Sequence, residues 1–270
     1  MNFQRPVSKI SWLLKIDVKN WMNSDTIKIN LKDKVLLITG ATSGIGKAIS
    51  KDLIKSNAKL ILTGRSKSKL EELATEIKSE VLTISADLSN PKDVNRLIQE
   101  SLNKFSRIDV LIANAGVYEP SEVKSGNPDN WDNVIKVNVN SVFRTINLVL
   151  PSMIKNKFGD IIIMCSVSGY QAIRWEPIYS ATKHAIKSFA HGLRTQVAKD
   201  NIRVSSLAPG MVLTELWGYT EKDQIEITKK IEAGEGLHSD DIVETIKFIL
   251  SRPRNVTIRD LVMLPRNQDL

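Results

Sequence analysis

The chain has 270 residues and 42% hydrophobic content, enough apolar material for one large core. A single cysteine, Cys165, excludes a disulfide framework or a cysteine zinc site and suits a reducing cytosol, and the scattered His184, His191 and His238 lack metal-ligand spacing. The net charge of +8 is carried by singly placed lysines without a basic run or an aromatic platform, so it describes a solvated surface that welcomes small anions rather than nucleic acid.

Residues 1–21 mix Trp12, Leu13, Leu14, Ile16 and Trp21 with Arg5, Lys9, Lys15 and Lys19. A transit peptide and a short interfacial helix are both open readings. A loosely packed extension preceding a working start at Met22 is the favoured one, and residues 1–33 are set apart as an N-terminal extension. No apolar run approaches the length of a membrane span.

From Lys34 to Leu270 short β-rich runs alternate with amphipathic stretches of helical length: KVLLITG, KLILTG, VLTISADL, DVLIANAG, DIIIMCS, RVSSLAPG and LVMLP. Continuous apolar runs predict strands buried on both faces. Strand–helix alternation predicts right-handed crossovers, hence an α/β, doubly wound parallel sheet of Rossmann-like type in one domain, 34–270.

The first turn carries Gly40, Thr42, Ser43, Gly44, Ile45 and Gly46 between a strand and a helix. A pyrophosphate would meet backbone N–H groups and a positive helix end there. The G-x-x-x-G-x-G spacing meets neither the strict dinucleotide fingerprint nor a P-loop. Strand two ends at Gly64-Arg65-Ser66, without the carboxylate that would accept the ribose hydroxyls of NAD. Arg65, helped by Ser66, suits a 2′-phosphate instead, so NADP(H) is favoured with NAD(H) left open. Asp87 either accepts from an adenine amino group or caps the turn before Pro91. Asn114, Ala115 and Gly116 end strand four where a cofactor would cross the sheet edge.

A helix is expected from Pro128 to Leu150. Inside it Asn138 is costly unless bonded, which suggests water or backbone binding near a site. Strand five delivers Ser166, which has no G-x-S-x-G elbow and is better read as holding a substrate oxygen than as a nucleophile. Tyr179 and Lys183 stand four apart on one helical face. A nearby ammonium favours the phenolate and lowers the phenol pKa, which makes the tyrosine a proton donor and acceptor. Pro209, Gly210, Val212 and Thr214 then form a rigid turn suited to a carboxamide. Residues 215–236, polar, helical in parts and carrying Trp217 and Tyr219, read either as a lid over the pocket or as ordinary surface packing.

Taken together, T-G-x-x-x-G-I-G, N-A-G, Asn138, Ser166, Tyr179 with Lys183, and P-G resemble the short-chain dehydrogenase/reductase family over nearly everything from Lys34 onward. The resemblance implies that Tyr179 exchanges a proton with the carbinol oxygen and that Lys183 tunes it while bonding the nicotinamide ribose. It also implies that Ser166 holds the reacting oxygen and Asn138 anchors a water-linked relay, with the nicotinamide exchanging a hydride with substrate. Dimers or tetramers are common in the family, and the apolar helix 178–199 suits such pairing.

Locally, Ala113–Gly116, the G-N-P-D-N-W-D segment, W-E-P-I-Y-S-A-T-K-H-A and the N-V-T-I-R-D-L-V-M-L-P tail look like ribitol 2-dehydrogenases. That likeness suggests a polyol substrate bordered by Trp175, Trp217 and Glu176, the last accepting polyol hydroxyls or else shaping the loop with Pro177. Those enzymes resemble NAD enzymes with an aspartate closing strand two. Gly64 stands there in this chain, which points toward NADP(H) and carbonyl reduction. Reduction of 3-oxo acids or acyl groups, and a non-catalytic nucleotide-binding module, are the competing expectations.

Overall fold

In the computed structural model, which describes residues 29–77 and 80–269, each of the seven apolar runs forms a strand. The expectations for residues 1–21 and for a start at Met22 lie outside the described residues. The strands are β1 (Val35–Thr39), β2 (Lys59–Gly64), β3 (Val81–Ser85), β4 (Val110–Ala113), β5 (Gly159–Met164), β6 (Ile202–Pro209) and β7 (Asp260–Met263). Every pairing is parallel and the order is 3-2-1-4-5-6-7, a doubly wound Rossmann-like sheet in a single domain.

The period-two geometry of a strand explains the unbroken apolar runs. Val35 and Leu37 of β1 enter one core while Leu36 and Ile38 enter the other. In β5, Ile161 and Ile163 go one way and Ile162 and Met164 the other. One face is closed by α3 (Pro91–Phe105), α5 (Ser141–Asn156) and α6 (Pro177–Val197). The opposite face is closed by α1 (Gly44–Leu53), α2 (Lys67–Ile77) and α8 (Ser239–Ser251). Burial of this kind is worth roughly 25 cal/mol per Å² of apolar surface and dominates the stability of both layers.

The helix expected over 128–150 is longer and interrupted. It runs as α4 (Pro128–Ile135), a π-helical turn (Lys136–Asn140) and then α5, which continues through Pro151 to Asn156. Proline removes one hydrogen bond, but Val149 and Met153 on either side are completely buried, and their packing carries the helix past it. Asn127 caps α4 by accepting from the Asp129 N–H. The segment after β6 contains short 3₁₀ turns and α7 (Gln224–Glu232), matching the polar, partly helical stretch anticipated there. Among the described residues no helix is long and apolar enough to cross a membrane, and no cluster of His, Cys, Asp or Glu could hold a metal ion.

Chain order reverses between β1 and β4, so the loops leaving these neighbours diverge and open a crevice at their C-terminal ends. The Thr39 hydroxyl accepts from the Asn114 and Ala115 N–H groups at 3.0 Å each. The Asn114 amide donates back to the Thr39 carbonyl at 3.0 Å. The rim of the crevice is therefore stitched rather than loose.

Candidate active site

A cleft of about 430 Å³ occupies the C-terminal edge of the sheet. At one end lies the glycine turn. Gly40 and Gly44 have φ of +66° and +47°, a region that favours glycine. A Cβ on Gly46 would stand 2.0 Å from the Gly40 carbonyl oxygen, so the start of α1 can lie against the strand only without a side chain. Gly46→Ala is expected to lower unfolding free energy by about 1–3 kcal/mol through overpacking. A urea melt with an unchanged midpoint would show that the backbone yields there. Ser43 caps α1 in extended conformation with no side-chain capping bond, and it lines the cleft beside the open N–H groups of the first turn.

At the end of β2 the exposed Arg65 lines the same cleft, and no carboxylate closes that strand. Ser66, expected beside it, does not reach the cleft. Its hydroxyl is taken by Ser68 at 3.0 Å and by the Lys69 N–H at 3.3 Å, because it stands at the entry of α2. Asp87 lines the cleft and also closes its own turn, accepting from the Ser89 N–H and hydroxyl at 2.9 and 2.8 Å. The helix beyond is capped by Asn90.

Asn114, Ala115 and Gly116 line the middle of the cleft. Asn138 sits behind them rather than in the wall. Its Oδ1 accepts from the Val117 N–H at 2.8 Å and its amide donates to the Val117 carbonyl at 2.9 Å, pinning the loop after β4 to the π-helical turn. It is thus satisfied by backbone, one of the two roles anticipated for it. Pro209, Gly210, Val212, Thr214 and Trp217 close the far side.

The reactive wall comes from β5 and α6. Pro177 begins α6, and Tyr179 and Lys183 follow on its inward face, both buried. The Lys183 ammonium donates to the Met164 carbonyl at 3.0 Å and stands 5.5 Å from the centre of the Tyr179 ring. Ser166, the residue after Cys165 at the end of β5, lines the cleft with them and is buried too. Tyr118 packs edge-on to Tyr179 with ring centres 5.0 Å apart and also touches Trp217 at 4.8 Å.

The electrostatics differ from the simple expectation of a lysine-lowered phenol. Burial pushes Tyr179 above the ordinary phenol range, opposed by the neighbouring Ser166 hydroxyl and reinforced by the charge of Glu176. Burial likewise moves Lys183 downward. Desolvation disfavours both charged forms.

Trp175 and Glu176 both line the cleft, but in different ways. Trp175 is exposed at 60%, a flat apolar rim. Glu176 is exposed at only 2%, and its Oε1 accepts from Ser168 at 2.5 Å. Burial, and then the nearby Glu176 carboxylate, push the Tyr118 phenol above its ordinary range. Tyr118 and Ser168 were not identifiable beforehand. Neither lies in a recognisable motif, and only the fold brings them to Glu176.

The residues fit a dinucleotide. There is a glycine turn that tolerates no Cβ, an uncommitted cap serine, a cationic side chain at the β2 end, and a buried amine beside a phenol. Comparison with known proteins agrees with this geometry. Residues 34–225 match the family described as short chain dehydrogenase. An uncharacterized oxidoreductase of Staphylococcus saprophyticus is 35% identical over 241 residues, covering 88% of this chain and 99% of that protein. Among solved structures, a serine dehydrogenase complexed with NADP+ superposes with a TM-score of 0.80 at 28% identity, covering 87% of this chain and 96% of that one. An L-sorbose reductase from Gluconobacter frateurii, complexed with NADPH and L-sorbose, superposes with a TM-score of 0.79 at 26% identity, covering 88% and 98%.

Proposed function

Since the chain belongs to the short-chain dehydrogenase/reductase family and is an NAD(P)-dependent oxidoreductase of an alcohol or ketone, we propose that it uses NADP(H) to interconvert a polyol and its ketose, ribitol and D-ribulose being the leading pair. The observation that carries this reading is a single cleft with Arg65 at one end and the buried Ser166, Tyr179 and Lys183 at the other.

Arg65 would meet the 2′-phosphate, and the first turn of α1 the pyrophosphate. Lys183 would bond the nicotinamide ribose. The nicotinamide, when bound, supplies or takes the hydride. Ser166 holds the substrate oxygen, and Tyr179 gives it a proton in reduction or takes one in oxidation. A neutral phenol is the form that donates in reduction, and a phenolate the form that accepts in oxidation. The aromatic rim of Trp175, Trp217 and Tyr118, with polar groups beneath it, suits a small polyhydroxylated substrate. The ketose named for the similar sorbose reductase lends support. The choice of ribitol rests on the local likeness of the segments around 126–132, 175–185 and 255–265.

Steady-state rates with NADPH and NADH, for wild type and Arg65→Ala, test the cofactor assignment. Loss of one charge-assisted bond, worth about 1.5–3 kcal/mol, is expected to weaken NADPH by roughly 10- to 150-fold while sparing NADH. Equal effects on both would remove Arg65 from the phosphate. Turnover of ribitol and D-ribulose against 3-hydroxy acids tests the substrate, and a clear preference for the acids would replace the polyol.

A further inference from the structure

Beyond β7 the chain folds back across the turn that closes the far side of the cleft, and Gln268 and Asp269 line the cleft beside Pro209, Gly210 and Met211. Pro265 is buried, and the Gln268 N–H donates to its carbonyl at 3.1 Å, closing a tight turn. The Gln268 Oε1 then accepts from the Met211 N–H at 2.9 Å. The Met211 carbonyl accepts from the Leu237 N–H at 2.8 Å, and the Gly210 N–H donates to the Met263 carbonyl at 2.7 Å. Gly210 has no positive φ, so backbone strain does not call for glycine there. A Cβ at 210 would instead lie 2.0 Å from Gln268 Oε1. The missing side chain makes room for the Gln268 amide.

Asn267, the preceding residue, reaches in another direction. Its N–H donates to the Gly234 carbonyl at 2.8 Å and its side-chain amide to the Ala233 carbonyl at 2.7 Å. Ala233 is the C-cap of α7, where helix carbonyls run out of intrahelical donors. Two adjacent tail residues therefore tie the turn after β6 to the far end of the 215–236 segment. We propose that Gln268 is a positioning residue for the nicotinamide end of the cofactor, and that the tail carrying it holds the 209–214 wall in register with the segment ending at α7. The proposal rests on the dehydrogenase reading above.

Hydride transfer requires the reacting atoms to stand roughly 3–3.5 Å apart, and a misplacement of about 1 Å can cost on the order of 10²-fold in rate. A carboxamide seated on the 209–214 turn takes its orientation from that backbone. Met211 is half-buried, and Gln268 supplies the acceptor that fixes its N–H. Gln268 acts through the turn and does not touch the reacting atoms. Its loss is felt at the nicotinamide and not at the adenosine end, where Arg65 and the glycine turn lie.

The test uses the full chain with Gln268→Ala, Gln268→Glu, Gly210→Ala, and Gln268→Ala combined with Gly210→Ala. Each is titrated with NADPH and with 2′-phospho-ADP-ribose, the same nucleotide without its nicotinamide. Gln268→Ala is expected to raise the NADPH Kd by roughly 3- to 10-fold and to lower kcat by roughly 10- to 100-fold. Binding of 2′-phospho-ADP-ribose should match wild type. Gln268→Glu keeps an acceptor for the Met211 N–H and should recover most of both losses. Gly210→Ala pushes the amide out and should reproduce the Gln268→Ala pattern, with the double variant falling no further. The Leu264 methyl near the same point belongs to an exposed side chain that can turn away. Equal weakening of the two nucleotides would mark a general structural loss and overturn the positioning role. Wild-type kcat in Gln268→Ala, a Gln268→Glu variant as impaired as Gln268→Ala, or losses that simply add would overturn it too. A wild type that turns over no alcohol or ketone with NADPH or NADH would defeat the dehydrogenase reading instead.

Discussion

Tyr179→Phe is expected to lower turnover in either direction by roughly 10²–10⁴-fold, the span over which a positioned acid–base group contributes. The change is narrow because the ring remains. Its edge-on packing against Tyr118 at 5.0 Å and its burial between α6 and the cleft depend on carbon atoms alone. Only the hydroxyl is lost, a stability cost of about 1 kcal/mol or less. NADPH affinity, read by fluorescence titration, should fall far less than turnover, because the phosphate contacts proposed for Arg65 and the glycine turn lie at the other end of the cleft. The expected pattern is therefore a fall in kcat with little change in nucleotide affinity or melting midpoint. Unaltered turnover would shift the balance toward a nucleotide-binding module without proton chemistry.

Much of this was legible before any coordinates. Runs such as VLLIT and DIIIM cannot hide their apolar side chains on one face only, so they imply helices above and below. The observed split of Leu36 and Leu37 between opposite cores is the direct consequence. Tyr179 and Lys183 were found by helical spacing, and the glycine turn by its place between strand and helix. What escaped was set by long-range packing. Ser66 looked like a partner for Arg65 from adjacency in sequence, yet local capping geometry claims its hydroxyl. Glu176 looked like a free acceptor for substrate, yet the Ser168 hydroxyl donates to it and the side chain is almost wholly buried. The burial of Tyr179 and Lys183 is of the same long-range kind. Helical spacing shows that a lysine is near, but not that both groups are dry.

The opposite edge of the sheet offers the second large effect, on stability instead of chemistry. Asp160 and Arg203 are the second residues of β5 and β6, at the N-terminal ends of the strands and away from the cleft. The Arg203 Nε donates to Asp160 Oδ1 at 2.6 Å, and Arg254 Nη1 donates to both carboxylate oxygens at 2.8 Å. The rest of the Arg203 guanidinium donates to the carbonyls of Leu250, Arg252 and Val256, fastening the chain that leaves α8. The Asp160 and Arg203 side chains are only 8% and 7% exposed, so screening by solvent is weak. Asp160→Ala strands the Arg203 charge in a site that cannot hydrate it. Breaking such a pair typically costs about 3–5 kcal/mol, or roughly 10 °C in melting temperature for a domain of this size. Arg254 is 30% exposed and can turn to water, which places the cost on Arg203. Replacing Asp160 and Arg203 together with apolar residues should recover part of the loss, because the unpaired charge disappears along with its partner. Urea melts of the single and double variants measure both effects. The kcat of the folded fraction should be unmoved, since the paired edge and the reactive edge lie at opposite ends of the same strands. A loss of turnover without a loss of stability would mean that the two edges are coupled through the sheet.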